Sequence, residues 1–372
     1  MSGTASSGGV ALPHRRLISL SGPDTTKFLH GLITNNVLGL EAPGGFYSAF
    51  LDARGRVLWD VFVYIRKGLD SQAPSAYIIE IDAGEVEALV KHLRRHKLRS
   101  KVTIEVVEDS EVGVWASQNG LGLGPVHIQD PRGQDMGART LGPSDKSTRG
   151  DGPSVDIQQY HLRRYLRGIP EGPLEIPRES ALPMEYNFDL NQGIDFKKGC
   201  YVGQELTIRT KHTGVVRKRV LPVQLSLPSS ATDTDQKTPV HDPDFPASLI
   251  PPNGADIKQL NDDGTMKKGR PAGKFIAAVG NVGIALVRLE MMTSMRVSAE
   301  GGSWKPGLQF GVQLEGEDGQ VVRVKAFAPQ WFRERERELW DKGRKRVFGD
   351  GGREERKADR KMEGEEGAEL SQ

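Results

Sequence analysis

The stretch FYSAFLDARGRVLWDVFVYIRK sets two apolar runs on either side of the turn DARGR, the pattern of a β-hairpin. More strand-like segments follow it: SAYIIEID, KVTIEVV, EVGVWAS and GPVHIQD. After the first of these comes GEVEALVKHLRRHKL, whose apolar spacing predicts an amphipathic helix with its basic residues late, as the helix dipole prefers. Ahead of the hairpin, SGPDTTKFLHGLITNNV places Phe28, Leu29, Leu32 and Ile33 at helical spacing, with Ser21 as N-cap and Pro23 in the first turn. DIQQYHLRRYLRG is a further helix, closed by Gly168. GKFIAAVGNVGIALVRLE, QFGVQLE and GQVVRVKAFA form a strand-rich end suited to a small barrel or sandwich. The chain therefore reads as an α+β body of two parts followed by a β domain.

The 372 residues leave room for that division and for a large core. Residues 1–12 read as a disordered tail and 140–155 as loop. Residues 226–270 form a polar insertion without sustained periodicity, read as flexible. From Trp331 a charged helix leads into a solvated tail. A net charge of +2 gives no mandate for nucleic acid, and no apolar run approaches the roughly 18 residues needed to insert across a membrane. The first residues show neither the apolar stretch of a signal peptide nor the repeated Arg of a mitochondrial presequence. KHLRRHKLR is most simply the solvated face of a helix, an acidic partner being the alternative. Trp115, Trp304, Trp331 and Trp340 read as core or packing aromatics.

Cys200 is the only cysteine, so no intramolecular disulfide forms and a reducing compartment is expected. It stands in FKKGCYVGQELTIRTKHTG. Lys197 and Lys198 precede it, Arg209 and Lys211 follow, and GQELTIRTKH reads as a helix ended by Gly214. Positive charge and a helix start both favour a thiolate, and Gly199 and Gly203 leave the sulfur accessible. The alternative is an inert buried thiol.

KGCYVGQE resembles the signature of the folate-binding YgfZ family, relatives of the glycine-cleavage T-protein, an aminomethyltransferase. KFLHGLITNNV resembles that family's first helix, FLDARGRVLWDVFVY its Gly-Arg hairpin, DPRGQDMGARTL its Asp-Pro-Arg segment, and HTGVVRKRVLPV the continuation in the mitochondrial, Iba-type iron–sulfur assembly branch. The resemblance implies a T-protein-like ring of three domains. Residues 13–222 would be the folate-binding core in two subdomains, 223–330 a C-terminal β-barrel, and 331–372 a charged tail.

The resemblance also implies a role in maturing [4Fe–4S] proteins in the mitochondrial matrix, without classical enzymatic turnover. A cluster takes about four protein ligands, and one cysteine cannot supply them. The implied arrangement is a [2Fe–2S] cluster shared through Cys200 with an A-type (ISCA) scaffold protein, the chain otherwise being monomeric. His212 is a conceivable further ligand. The signature loop comprises Lys198, Gly199, Tyr201, Gly203, Gln204, Glu205 and Arg209 around that thiol.

A tetrahydrofolate is implied beside Asp60 and Glu185. Asp60, on the strand side shared with Leu58, Phe62 and Tyr64, is either paired with a cation or facing a cavity. Glu185 resembles the carboxylate that holds the pterin in the T-protein, the alternative being a turn carboxylate bonded nearby. The T-protein's paired strand carboxylates appear here as Trp59–Asp60, and its Asn-Asp as Asn35–Asn36. Those losses count against the rival reading, a tetrahydrofolate-dependent aminomethyl transferase. A thiol-redox or glutathione-linked protein is a third.

Overall fold

The computed structural model describes residues 9–38, 44–66, 76–117, 126–133, 135–144, 156–228, 236–298, 301–314 and 319–348, with side chains up to Trp340 in the last stretch. The hairpin is its centre. Strands β3 (Gly44–Leu51) and β4 (Val57–Arg66) pair antiparallel, and β5 (Ala76–Asp82), β2 (Arg15–Ser21) and β6 (Thr103–Val106) extend them in the order β3-β4-β5-β2-β6. The apolar run of β4 is nearly continuous because both faces of the sheet are covered. On one side Trp59, Val61 and Val63 meet Phe28 and Leu29 of helix α1 (Thr25–His30) and Leu89, Val90 and Leu93 of α2 (Val86–Lys97). On the other, Phe62 and Tyr64 join a core shared with a second sheet.

That second sheet runs β1-β7-β9-β8, from Gly9–Ala11, Val112–Ser117, Ala138–Pro143 and Val126–Gln129. Helix α3 (Ile157–Leu166) packs between its β1 edge and the barrel that follows, with Tyr160 and Tyr165 in the shared core. A closed barrel completes the chain in the order β10-β13-β12-β11-β14-β15, built from Lys218–Ser226, Val282–Arg288, Gly273–Val279, Asp256–Gln259, Phe310–Gln313 and Val321–Ala326. Helix α4 (Gln204–Thr213) enters the barrel's first strand, α5 (Leu289–Met292) follows β13, and α6 (Gln330–Phe348) packs on α4. The α+β architecture with a C-terminal barrel is the one expected.

Several local expectations are corrected. Residues 9–11 are not tail: Val10 pairs with Ala116 and is buried, so β1 closes the second sheet's edge, while residues 1–8 lie outside the described residues. The strand β2 stands where none was expected, because its Arg15 is a buried charge rather than a solvated one. Helix α1 starts at Thr25 after Asp24, not at Ser21, which belongs to β2. The 140–155 stretch begins inside β9; 145–155 lies outside the described residues. The insertion at 226–270 supplies barrel strand β11 and buries Leu249, Ile257 and Leu260, short apolar anchors too widely spaced to show a period. The charged helix expected from Trp331 forms as α6, and it packs on the body instead of belonging to a tail, with Phe332, Glu336 and Trp340 buried. Residues 349–372 lie outside the described residues.

Candidate functional site

The signature segment is assembled from three of the blocks that carried the resemblance. Lys198 reaches into the end of α1 and donates from Nζ to the carbonyls of His30 and Ile33, each at 2.6 Å, and of Asn35 at 3.0 Å. Burial pulls this amine down to about 8. The Val202 N–H donates to the Gly31 carbonyl at 3.1 Å, closing the other side of the same loop. Gly203, the N-cap of α4, has φ 79°, and a Cβ there would stand 2.2 Å from the Asp52 carbonyl oxygen. Only glycine lets the hairpin turn and the signature touch. From the turn's side Gly55 meets the Gly203 carbonyl oxygen, 3.0 Å from where its own Cβ would be.

Other signature residues hold the loop from within. Tyr201 is buried under the Lys198 ammonium, 4.7 Å from its ring centroid, and its N–H donates to the Gln204 side chain at 3.3 Å. Gly199 faces the His30 ring, whose Nε2 would lie 3.8 Å from an added Cβ. Glu205 and Arg209 are exposed on α4. In the middle of this fixed frame Cys200 is exposed, so the thiol is not a buried core group.

The expected ring of cations around it is only partly present. Lys198 is spent on the carbonyls of His30, Ile33 and Asn35. Lys211 bonds the Leu339 carbonyl and lies over the rings of Trp340 and Phe196, at 4.5 and 4.9 Å. Both are drawn to backbone oxygens and aromatic faces, which leaves Lys197 and Arg209 exposed on the thiol's own segment. His212 is exposed. Among the described residues no group of three or more His, Cys, Asp or Glu side chains could hold a metal ion.

Asp60 lies in another setting. It is 4% exposed; Oδ1 accepts from the Gly172 N–H at 3.0 Å, while Oδ2 has no hydrogen bond and lies 3.6 Å from Arg15. Around it three guanidinium groups face four carboxylates: Arg15, Arg132 and Arg139 against Asp60, Glu80, Asp130 and Glu171. Arg132 bonds Asp130 and Glu171 at 2.8 Å each, Arg15 bonds Glu80 at 2.8 Å, and Arg139 bridges Glu80 and Glu171. Tyr64 and Tyr160 donate to Glu80 and Glu171 at 2.6 and 2.7 Å. Burial opposes ionising Glu171, but Arg139 and Arg132 overcome it and hold its carboxyl well below the usual range. The surplus carboxylate is Asp60, and burial raises its carboxyl despite Arg15. Phe62 and Tyr64 share its side of β4 as expected. Leu58 does not, because it is the unpaired residue where the register shifts between Phe50 and Leu51.

These carboxylates do not fit a pterin as they stand. The cleft beside Asp60, between Trp59, Asp82, Gly172 and Ile176, has a free volume of about 10 Å³, the scale of one water. Glu185 is tied to Lys218 at 2.9 Å, and no hydrogen bond or ion pair joins it to Asp60. Trp59 donates to Glu85 at 2.7 Å under Arg178. Asn35 donates to the carbonyls of Tyr47 and Gln192, so it serves as a tie between segments. Sequence reasoning missed His30, Gly55 and the ion lattice. The quoted blocks HGL, DARGR and DPRG held the signal, but not which of them would meet.

The chain is 50% identical to the protein from Phaeosphaeria nodorum named iron–sulfur cluster assembly factor IBA57 homolog, mitochondrial, over 91% of this chain and 84% of that one. It is 42% identical to the protein of the same name from Aspergillus fumigatus, over 88% and 82%. Residues 217–334 match the family described as CAF17, C-terminal beta-barrel domain. Among solved structures, the glycine cleavage system aminomethyltransferase T from Bartonella henselae superposes with a TM-score of 0.57 over 88% of this chain and 86% of that one. At 14% identity it speaks for a shared T-protein-like fold.

Proposed function

Because this chain belongs to the family of mitochondrial iron–sulfur cluster assembly factors of the IBA57 type, we propose that it works by presenting Cys200 as one ligand of a shared [2Fe–2S] cluster. The cluster is cargo, and the destination is the maturation of [4Fe–4S] proteins in the mitochondrial matrix. The observation that carries this reading is the contrast at the signature: an exposed thiol in a loop whose neighbours are anchored on both sides. A rigid frame presents the sulfur at one position, and orientation fixed before encounter lowers the cost of binding.

A lone thiolate leaves about three cluster positions unfilled. The fitting partner is a protein with its own cysteine ligands, such as an A-type (ISCA) scaffold. Two side chains of the thiol's own segment, Lys197 and Arg209, are cationic and exposed, which suits the net negative charge of a thiolate-bound cluster. Mixing the protein with a [2Fe–2S]-loaded A-type scaffold tests this. The expected result is a heterocomplex that keeps the cluster's visible absorption through size exclusion. Separate elution with the cluster still on the scaffold would sink the reading.

One observation stands on the side of folate, the buried Asp60 Oδ2 without a hydrogen bond. Calorimetry with tetrahydrofolate decides it: saturable heat in the wild type, lost in Asp60→Asn, would favour a folate site that opens at this cleft. No aminomethyl transfer step is assigned to these residues.

A further inference from the structure

The outer face of α2 is strongly basic. With Leu89, Val90 and Leu93 buried, Lys91, Arg94, Arg95 and Leu98 fall on the opposite stripe at helical spacing, and all four are exposed. Arg99 and Lys101 continue the exposed charge and Lys97 flanks it, half-buried. Among the described residues none of these six cations is paired with a carboxylate; the nearby Asp24 accepts instead from the Lys101 backbone N–H at 2.7 Å. Only Glu87, a turn ahead of Lys91, brings an opposite charge to the stripe.

Leu98 stands at the tip of this cluster. It is 89% exposed, the most exposed of the large hydrophobic residues described. Its φ of 45° and ψ of −113° suit glycine better than a branched side chain. The fold gains nothing from a leucine there.

We propose that this face adsorbs to an anionic lipid surface, with Leu98 entering the headgroup boundary inside a collar of six cations. The charge complementarity is local, since the whole chain carries only +2. A cluster of 4–8 basic residues on a helix is the electrostatic pattern for anionic lipid, and a single aliphatic tip adds the apolar component. A protein partner is less suited, because the stripe offers no aromatic anchor and Leu98 protrudes instead of lining a groove. This is surface adsorption, compatible with no helix of the described residues being long and apolar enough to cross a membrane.

The test floats the full chain with phosphatidylcholine vesicles, with and without phosphatidylserine, at about 0.1 M salt. Flotation is expected with the anionic vesicles alone and is expected to vanish in Arg94→Glu/Arg95→Glu. Leu98→Gly should melt at or above the wild-type temperature, yet bind at least about fivefold less. Leu98→Asn, which also tolerates positive φ, should behave alike. Equal flotation with neutral vesicles, or none with anionic ones, overturns the proposal. So does anionic binding that the Leu98 variants leave unchanged, which would mean that no leucine enters the headgroup boundary and that charge alone holds the face to the lipid.

Discussion

Asp60 lies inside a lattice of guanidinium, carboxylate and phenol groups, whereas Cys200 stands exposed in a loop whose other residues are tied down. Both regions hold polar residues at sites where the T-protein fold brings chain segments together. In the first, nearly every group has its partner within the chain, so buried polarity acts as architecture joining the two sheets through Glu80, Arg139 and Glu171. In the second, the frame is satisfied and the one chemically distinctive atom is left over. A group with no partner inside a fixed frame is available to something outside it.

The comparison breaks most visibly at the lattice. Arg139→Met leaves Glu80 and Glu171 with less compensation and should cost about 3–5 kcal/mol, seen as a lower urea midpoint. A loss below about 1 kcal/mol would mean that the lattice is not structural. Gly203→Ala comes next, at about 2–3 kcal/mol, because the added methyl meets the Asp52 carbonyl and the backbone sits at positive φ. Its distinguishing sign is poorer formation of the cluster-bridged complex even after folding is restored at lower temperature. Lys198→Met should cost about 1–3 kcal/mol by stranding the carbonyls of His30, Ile33 and Asn35. Faster proteolysis at the signature loop, with the barrel unaffected, checks that the loss is local.

Acid response offers a smaller effect. Burial holds His92, wedged against Phe50 and Trp59, and His161, beside Arg164, down to about 4. The unfolded chain takes up protons at both between pH 6.5 and about 4 while the fold resists, so stability falls as pH falls through that window. His92→Phe should flatten part of the decline in a series of urea melts. An unchanged slope would contradict the burial of a neutral ring there.

Much of the fold was legible because its signals are local. The hairpin around DARGR, the 3.6-residue spacing in α2 and the glycine that closes α3 are each set by a short window. Arg15, Arg132 and Arg139 were not legible as core, since a charged residue looks solvated until its partner is known, and Glu171 is 156 residues from Arg15. Strand β11 escaped for a related reason: its two neighbours, β12 and β14, both come later in the sequence, and its own apolar content is one residue, Ile257. At the candidate site the thiol and its glycines were readable from KGCYVGQE, whereas the destinations of Lys198 and Lys211 depend on carbonyls and rings far along the chain. Asp60 showed its dual reading in sequence, and both halves of it are present in the structure: Arg15 lies 3.6 Å from Oδ2, and the carboxylate lines a small cleft.

The smallest change to the fold should have the largest consequence for function. Cys200→Ser removes one exposed sulfur, so it should shift stability by no more than about 0.5 kcal/mol. Mixed with a [2Fe–2S]-loaded A-type scaffold, the wild type is predicted to give a heterocomplex with the visible absorption of the bridged cluster, and the folded Cys200→Ser variant is predicted to give none. A variant that forms the coloured complex at wild-type yield would contradict the assignment of Cys200 as the shared ligand.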